Sequence, residues 1–577
     1  MSTTISILGG VGLFLLGMTV MTAGLKALAG SALRTVLAKA AATPLSGAFW
    51  GAIATLIVQS SSATTMTTIG LVSAGLLTFP QGLGLVFGAN VGTTGTGWLV
   101  ALIGVRVSLT SAALPMIFVG AMIKLLGRGR ISGAGAALAG FGLVLFGLST
   151  LQEGMSGLAE RLHPADLPAV LTGPGIGVWQ STIGVLALVA VGLVMTALMQ
   201  SSTAAIALTL SAYFAGAVDL GQGCALIIGQ NIGTATSSAM AAIGASATAK
   251  RLAIAYVLFK LIAALIALAL FPLVTPLLVR VSKTIDGVTL LAAYHTAYNV
   301  VGVAVLMPVI DGFTRLVESL LPERGSPLTR CLDPSALALP IAAVEAVRRT
   351  VARVLEAVCE SVDATLKATT RGSGETATLS DATDALRQAQ VFMSDVSGPP
   401  ESEDEQRRLT STLHALDHAS RLAETAREKR DFGTMGTQPG DARAMQLCAE
   451  AMQHAAAIAR DVATLPDDRP HGVPPAAKRE TPVTPYATPK MSVEQTLDQL
   501  QHCARALAEF SRAHRSETLG AVANGALTAG DAVVRVDVVR ILEVLAHHAW
   551  RSAAHLIGRA DAGAPRLRPN RKRSSPL

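Results

Sequence analysis

Charge is what the first 320 residues lack: they hold 14 Lys/Arg and 7 Asp/Glu, while residues 321–577 hold 32 of each. Aromatic side chains are sparse throughout, at 4% of the chain. The five cysteines, Cys224, Cys331, Cys359, Cys448 and Cys503, match neither a zinc module nor a disulfide framework. Four of them fall in the polar part, which fits a reducing compartment. Also missing are an HExxH pair, a P-loop, a dinucleotide fingerprint and a serine-hydrolase elbow. Lack of a nucleotide motif argues against a self-contained ATP-driven pump. Lack of paired carboxylates or a nucleophile–base pair in the membrane part argues against an enzyme, and no cofactor is expected. The polar part has zero formal net charge despite the whole-chain value of +7, which argues against nucleic-acid binding. No basic n-region precedes the apolar stretch Met1–Gly30, which therefore reads as a retained first membrane span.

What the first part does have is apolar runs long enough to cross a hydrocarbon core, which takes about 20 helical residues. Candidate spanning or re-entrant segments are Ile5–Ala27, Gly47–Leu77, Gly82–Ile103, Leu109–Leu125 and Gly133–Thr150. The series resumes with Trp179–Tyr213, Gly221–Gly244, Leu252–Leu278 and Thr289–Val309. Polar residues interrupt 47–77 and 179–213, so each reads as a half-helix, a turn and a full span.

The segments repeat. At an offset of 130, Gly10, Gly17, Gly24 and Leu28 recur as Gly140, Gly147, Gly154 and Leu158. After an 11-residue insertion the offset becomes 141. Gly51, Thr55, Gln59, Ser60 and Ser61 then recur as Gly192, Thr196, Gln200, Ser201 and Ser202. Gln81, Gly88, Asn90, Gly92 and Thr93 recur as Gln222, Gly229, Asn231, Gly233 and Thr234. The loop after the first span holds Arg34 and Lys39 without an acid, while its counterpart holds Glu153, Glu160, Arg161 and Asp166. By the positive-inside tendency the two lie on opposite sides, giving halves of inverted topology.

Two blocks in each half could carry chemistry. Gln59, Ser60, Ser61, Ser62 and Thr64 offer amide and hydroxyl groups within an apolar stretch, answered by Gln200, Ser201, Ser202 and Thr203. Nothing in them titrates, so they cannot relay protons. They can supply oxygens to a dehydrated Na⁺ and donors to an oxyanion, and a helix starting there would add free backbone N–H groups. The bland alternative is close helix packing by small polar residues. The second block pairs Asn90, Thr93 and Thr94 with Asn231 and Thr234, whose neighbouring glycines suggest a broken helix. Lys260 lies well inside a span, where it either snorkels or joins a site. His295 and Asn299 share a helix face, and both packing and substrate contact remain open. Arg106 and Lys124 read as interface anchors.

The polar part shows Ala-rich amphipathic stretches at Ala342–Thr369, Asp404–Lys429, Ala442–Ala463, Val493–Ala513 and Asp531–Arg551. Val347, Val351, Val354 and Val358 make a one-sided stripe that needs partner helices, so a bundle is expected. The resulting organisation is a first repeat over 1–130 and a second repeat with terminal helices over 131–320. A helical domain follows over 336–465, then a Pro-rich linker 466–489, a second helical region 490–560 and a basic tail 561–577.

At these blocks the chain resembles the sodium-dependent inorganic phosphate cotransporters, bacterial relatives of the type II Na⁺/phosphate transporters. A QSSS block and a GANIGTT-like block in each half mark that family. The first half keeps both, in Gln59–Ser62 and Gly88–Thr94, whereas the second has Thr203 for the third serine and Ala235 for the last threonine. A later element, Arg-x-Ala-x-x-His-x-x-Phe-Asn, appears as Arg251, Ala253, Tyr256, Phe259 and Lys260, with tyrosine for histidine and lysine for asparagine. Ala292, His295 and Asn299 keep a further one. The resemblance implies an all-α membrane protein of two inverted repeats with re-entrant or discontinuous helices, carrying a cytosolic helical bundle similar to PhoU domains. It implies symport of Na⁺ and inorganic phosphate in the bacterial inner membrane, with Na⁺ held among Gln59, Ser61, Ser62, Gln200, Ser202 and Thr203. Another tetrahedral oxyanion, or phosphate sensing through the tail, stays open as the function. A homodimer and a cytosolic regulatory partner of the tail stay open as associations.

Overall fold

The computed structural model describes residues 3–40, 42–103, 109–171, 176–243, 245–322, 326–367, 373–396, 402–427, 439–464 and 491–559. The Pro-rich stretch 466–489, the basic tail from residue 561, and Arg106 lie outside them. The chain forms two units, Met1–Val72 with Leu76–Arg324, and Ser73–Gly75 with Gly325–Leu577.

In the first unit the elements are α1 (Thr3–Ala40), α2 (Pro44–Val58), α3 (Ser61–Ser73), α4 (Phe79–Ile103), α5 (Leu109–Leu126) and α6 (Arg130–Ala159). They continue with α7 (Val178–Met199), α8 (Ser202–Phe214), α9 (Leu220–Ala241), α10 (Ala247–Val281), α11 (Gly287–Leu306) and α12 (Ile310–Leu320). Six helical stretches among the described residues are long and apolar enough to cross a membrane: Thr3–Ala29, Phe79–Leu102, Arg130–Ala159, Val178–Met199, Ala247–Val281 and Gly287–Leu320. Large apolar side chains such as Phe118, Leu126, Leu198 and Leu273 are exposed on the outside. Water would penalise that surface and a hydrocarbon layer would not.

Small residues set how close these helices come. α1 and α6 pack antiparallel: a Cβ at Gly10, Gly17 or Gly24 would meet the backbone of Leu151, Val144 or Ala137. Conversely, Gly140, Gly147 and Gly154 face the backbone of Met21, Phe14 and Ile7. Each contact of the first three becomes one of the second three when every residue is exchanged for its partner at offset 130. Without a hydrophobic drive between helices in lipid, such backbone approach gains dispersion energy that side chains would block. The same logic recurs deeper in the unit. A Cβ at Gly88 would strike the Ala48 carbonyl, and one at Gly229 the Val189 carbonyl, so α4 lies against α2 as α9 lies against α7.

Several expectations need correction. The glycines of the Asn-x-Gly-Thr blocks do not break their helices: α4 and α9 run unbroken through 88–94 and 229–235, because the missing side chains serve helix packing instead. The stretch 47–77 is two short helices of 15 and 13 residues, with no full span in it. In 179–213 the order is reversed, a 22-residue helix preceding a 13-residue one. The loop expected after the first span is helical as far as Ala40.

The second unit contains α13 (Pro340–Lys367), α14 (Ser373–Ser394), α15 (Glu403–Arg427), α16 (Pro439–Ala463), α17 (Val493–Ala523) and α18 (Ala529–Leu556). Val347, Val351, Val354 and Val358 are buried where α13 packs on α14, α15 and α16. Glu345 takes Arg348 and Arg349 at 2.8 Å each. Burial raises this carboxyl, but the two guanidiniums outweigh it and hold the group below its usual range. α14 has no counterpart among the expected helices. All five cysteines are free and buried.

Candidate functional site

The breaks in the membrane unit fall on glutamine. Gln59 (φ 56°, ψ 31°) and Gln200 (φ 51°, ψ 24°) are the only non-glycine residues with positive φ among the described residues. Each is the left-handed cap of the helix before it, its N–H reaching back to Thr55 O at 2.7 Å or Thr196 O at 2.8 Å. Each side chain secures that conformation in the same way. Gln59 Nε2 donates to Leu56 O and Gln200 Nε2 to Ala197 O, both at 2.5 Å. The next residue opens the following helix: Ser60 Oγ accepts from Ala63 N, and Ser201 Oγ accepts from Ala204 N, both at 3.2 Å. Three consecutive residues therefore turn a helix end directly into a helix start. The carbonyl end of α2 or α7 favours a cation, and the N–H end of α3 or α8 favours an anion, within one turn of each other.

Hydroxyls converge on each junction. Thr96 Oγ1 donates to Gln59 Oε1 at 2.5 Å, and Ser237 Oγ donates to Gln200 Oε1 at 2.7 Å. Thr96 and Ser237 were not among the expected site residues, although extending the 141-residue offset one step further along the chain pairs them. Ser61 and Ser62, like Ser202 and Thr203, occupy the first turn of the second helix at each junction. Thr64, three residues into α3, is buried and shares a 2.8 Å hydrogen bond with Thr55.

Asn90 and Asn231 are buried, and each donates from Nδ2 to its own helix, at Val86 O and Ile227 O, both at 3.0 Å. Thr93 and Thr94 donate to Asn90 O and Val91 O, both at 2.7 Å, and Thr234 to Asn231 O at 2.6 Å. The same caps start both helices, Thr78 exchanging hydrogen bonds with Gln81 ahead of α4 and Asp219 with Gln222 ahead of α9.

The second half carries a cluster without a counterpart among the described residues of the first. Lys260 Nζ donates to Asn231 Oδ1 at 3.2 Å and to Asn299 Oδ1 at 3.1 Å. Asn299 Nδ2 also reaches Asn231 Oδ1, at 3.3 Å. Tyr256 donates to Thr234 Oγ1 at 3.3 Å, and Tyr298 to the Lys260 carbonyl at 3.2 Å. Lys260 does not snorkel: it is 2% exposed and its ammonium turns inward. His295 is buried one turn before Asn299, and its Nδ1 has no partner. A Cβ on Gly97 of α4 would sit 3.8 Å from that nitrogen and 3.8 Å from Ile206 of α8. Arg251 Nε donates to Leu321 O at 2.9 Å, beyond the end of α12.

In the second unit, His418 Nδ1 lies 3.0 Å from His548 Nδ1, and His414 stacks on His555 at 4.9 Å. Burial, then neighbouring cationic groups, pushes His418 and His548 down to about 4, so these rings are neutral at pH 7. They pack α15 on α18. No group of three or more metal-ligating side chains occurs among the described residues.

Fold and junctions together describe a multi-helix protein with six candidate membrane spans and two copies of one helix-end-to-helix-start junction. Residues 13–153 and 179–285 match the model of the Na⁺/Pi-cotransporter family, which takes in both junctions and Lys260. That family is one of transporters, not enzymes. The uncharacterized protein YqeW of Bacillus subtilis is 29% identical over 311 residues, 54% of this chain and 96% of that protein. The putative inorganic phosphate export protein YjbB of Escherichia coli K12 is 28% identical over 437 residues, 74% of this chain and 77% of that protein. That span exceeds the 324 residues that end the first unit, so the likeness runs into the second. Human sodium-dependent phosphate transport protein 2B is 42% identical over 62 residues, 11% of this chain and 9% of that protein. No solved structure matches the chain.

Proposed function

We propose that the protein moves inorganic phosphate across the inner membrane in company with Na⁺, using two inverted repeats that alternate access to one site. The observation that carries this reading is the doubled junction at Gln59–Ser61 and Gln200–Ser202, where a carbonyl-rich helix end and an N–H-rich helix start meet. Na⁺ is held by Gln59, Ser61, Ser62, Gln200, Ser202 and Thr203, and phosphate by the N–H ends of α3 and α8 with nearby hydroxyls. Inversion is supported by α1 and α6, which are related by the repeat yet run antiparallel with exchanged contacts. Phosphate is favoured over other tetrahedral anions by the relatives from Escherichia coli and human, whose names specify it. The name of the Escherichia coli relative also specifies export, so net movement in either direction belongs to this reading. The C-terminal helical unit fits a PhoU-like regulatory domain on the cytoplasmic side by its helical content and its place after the transport unit.

Labelled phosphate flux in proteoliposomes tests this, with Na⁺ or K⁺ gradients imposed in either direction and arsenate or sulfate as competitor. Flux that follows the Na⁺ gradient and resists sulfate is expected. Flux indifferent to Na⁺ would remove the coupling, and no phosphate flux at all would remove the transport reading.

A further inference from the structure

Lys260 sits 13 residues into the 35-residue α10 and is 2% exposed, its ammonium held among neighbouring helices by Asn231 and Asn299. An ammonium there ordinarily needs a carboxylate. Among the described residues none pairs with it. Its surroundings are instead the carbonyl oxygens of two asparagine amides, Asn231 at 3.2 Å and Asn299 at 3.1 Å, with the faces of Tyr256 and Phe259 at 5.6 and 5.7 Å. Neutral oxygens and aromatic faces are what a bare monovalent cation takes as ligands. The two amides are ordered toward that role. Asn231 Nδ2 is spent on Ile227 O and Asn299 Nδ2 on His295 O, so both Oδ1 atoms point at the ammonium. In the first repeat Asn90 makes the same bond to its own helix, and no basic side chain hydrogen-bonds it among the described residues. The second repeat has also lost a hydroxyl, with Ala235 at the position of Thr94. A poorer oxygen set and a built-in positive charge thus occur together.

We infer that the Lys260 ammonium is a tethered cation, filling between Asn231 and Asn299 a monovalent-cation site that Na⁺ would enter if residue 260 were neutral and oxygen-bearing. The inference rests on the transport reading above and sharpens it: this chain carries one Na⁺ fewer per anion than the same scaffold without the lysine. Phosphate charge is then balanced partly by a residue that never leaves.

Two measurements on the full-length protein separate the inference from the reading it rests on. The first is ²²Na⁺ binding to purified protein. Lys260→Asn supplies a third amide oxygen in place of the charge and is expected to bind about one more Na⁺ per chain, while Lys260→Met, which fills the volume without oxygen or charge, gains none. The second is phosphate flux against Na⁺ concentration, where Lys260→Asn is expected to raise the Hill coefficient by roughly one. There Lys260→Arg should keep the wild-type value, and Lys260→Met should lose flux while staying monodisperse. Should Lys260→Asn aggregate, Lys260→Gln takes its place in both. Unchanged ²²Na⁺ stoichiometry in Lys260→Asn would overturn the tethered cation, as would a change confined to the phosphate KM, which would make the ammonium an anion ligand. A wild type without phosphate flux would defeat the transport reading alone, leaving the ²²Na⁺ comparison to decide the cation.

Discussion

In the first repeat Thr55 and Thr64 share a buried 2.8 Å hydrogen bond. In the second, Thr196 keeps the position of Thr55, but Ala205 stands where the other hydroxyl would be, and Thr196 Oγ1 is buried without a partner. Around this loss the backbone barely changes: both glutamines are left-handed, both following serines cap, and both neighbouring helices touch through the same glycines. Geometry at the junction is therefore held more tightly than the side chains that line it. The second repeat differs from the first in chemistry, with Gln230 for Ala89 and Ala205 and Ala235 for Thr64 and Thr94, while matching it in shape. A shared backbone with unequal linings is what a transporter needs if its two halves bind different things.

The largest expected effect tests the shared part. Gly88→Ala and Gly229→Ala place a methyl against the Ala48 and Val189 carbonyls, which are backbone and cannot rotate away. Both should lower thermal stability in detergent at or above the upper end of the roughly 1–3 kcal/mol typical of overpacking. Equal losses would support a common scaffold, and a tolerated Gly229→Ala would break the equivalence.

Next in size comes the junction itself. Gln59→Ala and Gln200→Ala remove the side chain that bonds its own helix end and receives Thr96 or Ser237. Each variant should fold and lose at least tenfold in phosphate flux, since a group left unsatisfied costs about 1–3 kcal/mol and a lost ion ligand more. If both variants kept wild-type flux, the blocks would return to a packing role.

Much of this was legible in sequence because the Gln-Ser-Ser and Asn-x-Gly-Thr blocks repeat at one offset, which composition alone does not produce. The polar interruption of 47–77 and 179–213 also marked a turn between two helices, as found, but not that glutamine itself would take it. Glycine and asparagine advertise a turn and glutamine does not, yet Gln59 and Gln200 adopt φ > 0 because their amides bond Leu56 O and Ala197 O and offset the cost. Lys260 could be found in sequence, but its partners come from three helices and only packing unites them. α14 escaped notice because Ser, Thr and Asp recur along Ser373–Ser394, and those residues read as caps and turns until neighbouring helices override them.

The smallest effect is the most discriminating about how the repeats differ. Ala205 is fully buried, and its carbonyl accepts Gln230 Nε2 at 3.0 Å while Thr209 Oγ1 lies 2.6 Å from the same nitrogen. Gln230 stands where the first repeat has Ala89, and its own Oε1 has no partner. The glutamine thus fills the side of α8 that Thr64 occupies on α3, leaving two orphaned oxygens, Thr196 Oγ1 and Gln230 Oε1, instead of one satisfied pair. Ala205→Thr alone should gain little, because the new methyl competes with Gln230 for space. Gln230→Ala alone should also gain little, because it relieves one orphan but opens a cavity. Together they rebuild the Thr55–Thr64 arrangement, so the double variant should exceed the sum of the single ones by about 1 kcal/mol in a double-mutant cycle of thermal unfolding. Strict additivity would mean that the two positions are energetically independent and that the second repeat does not retain the packing of the first at this layer.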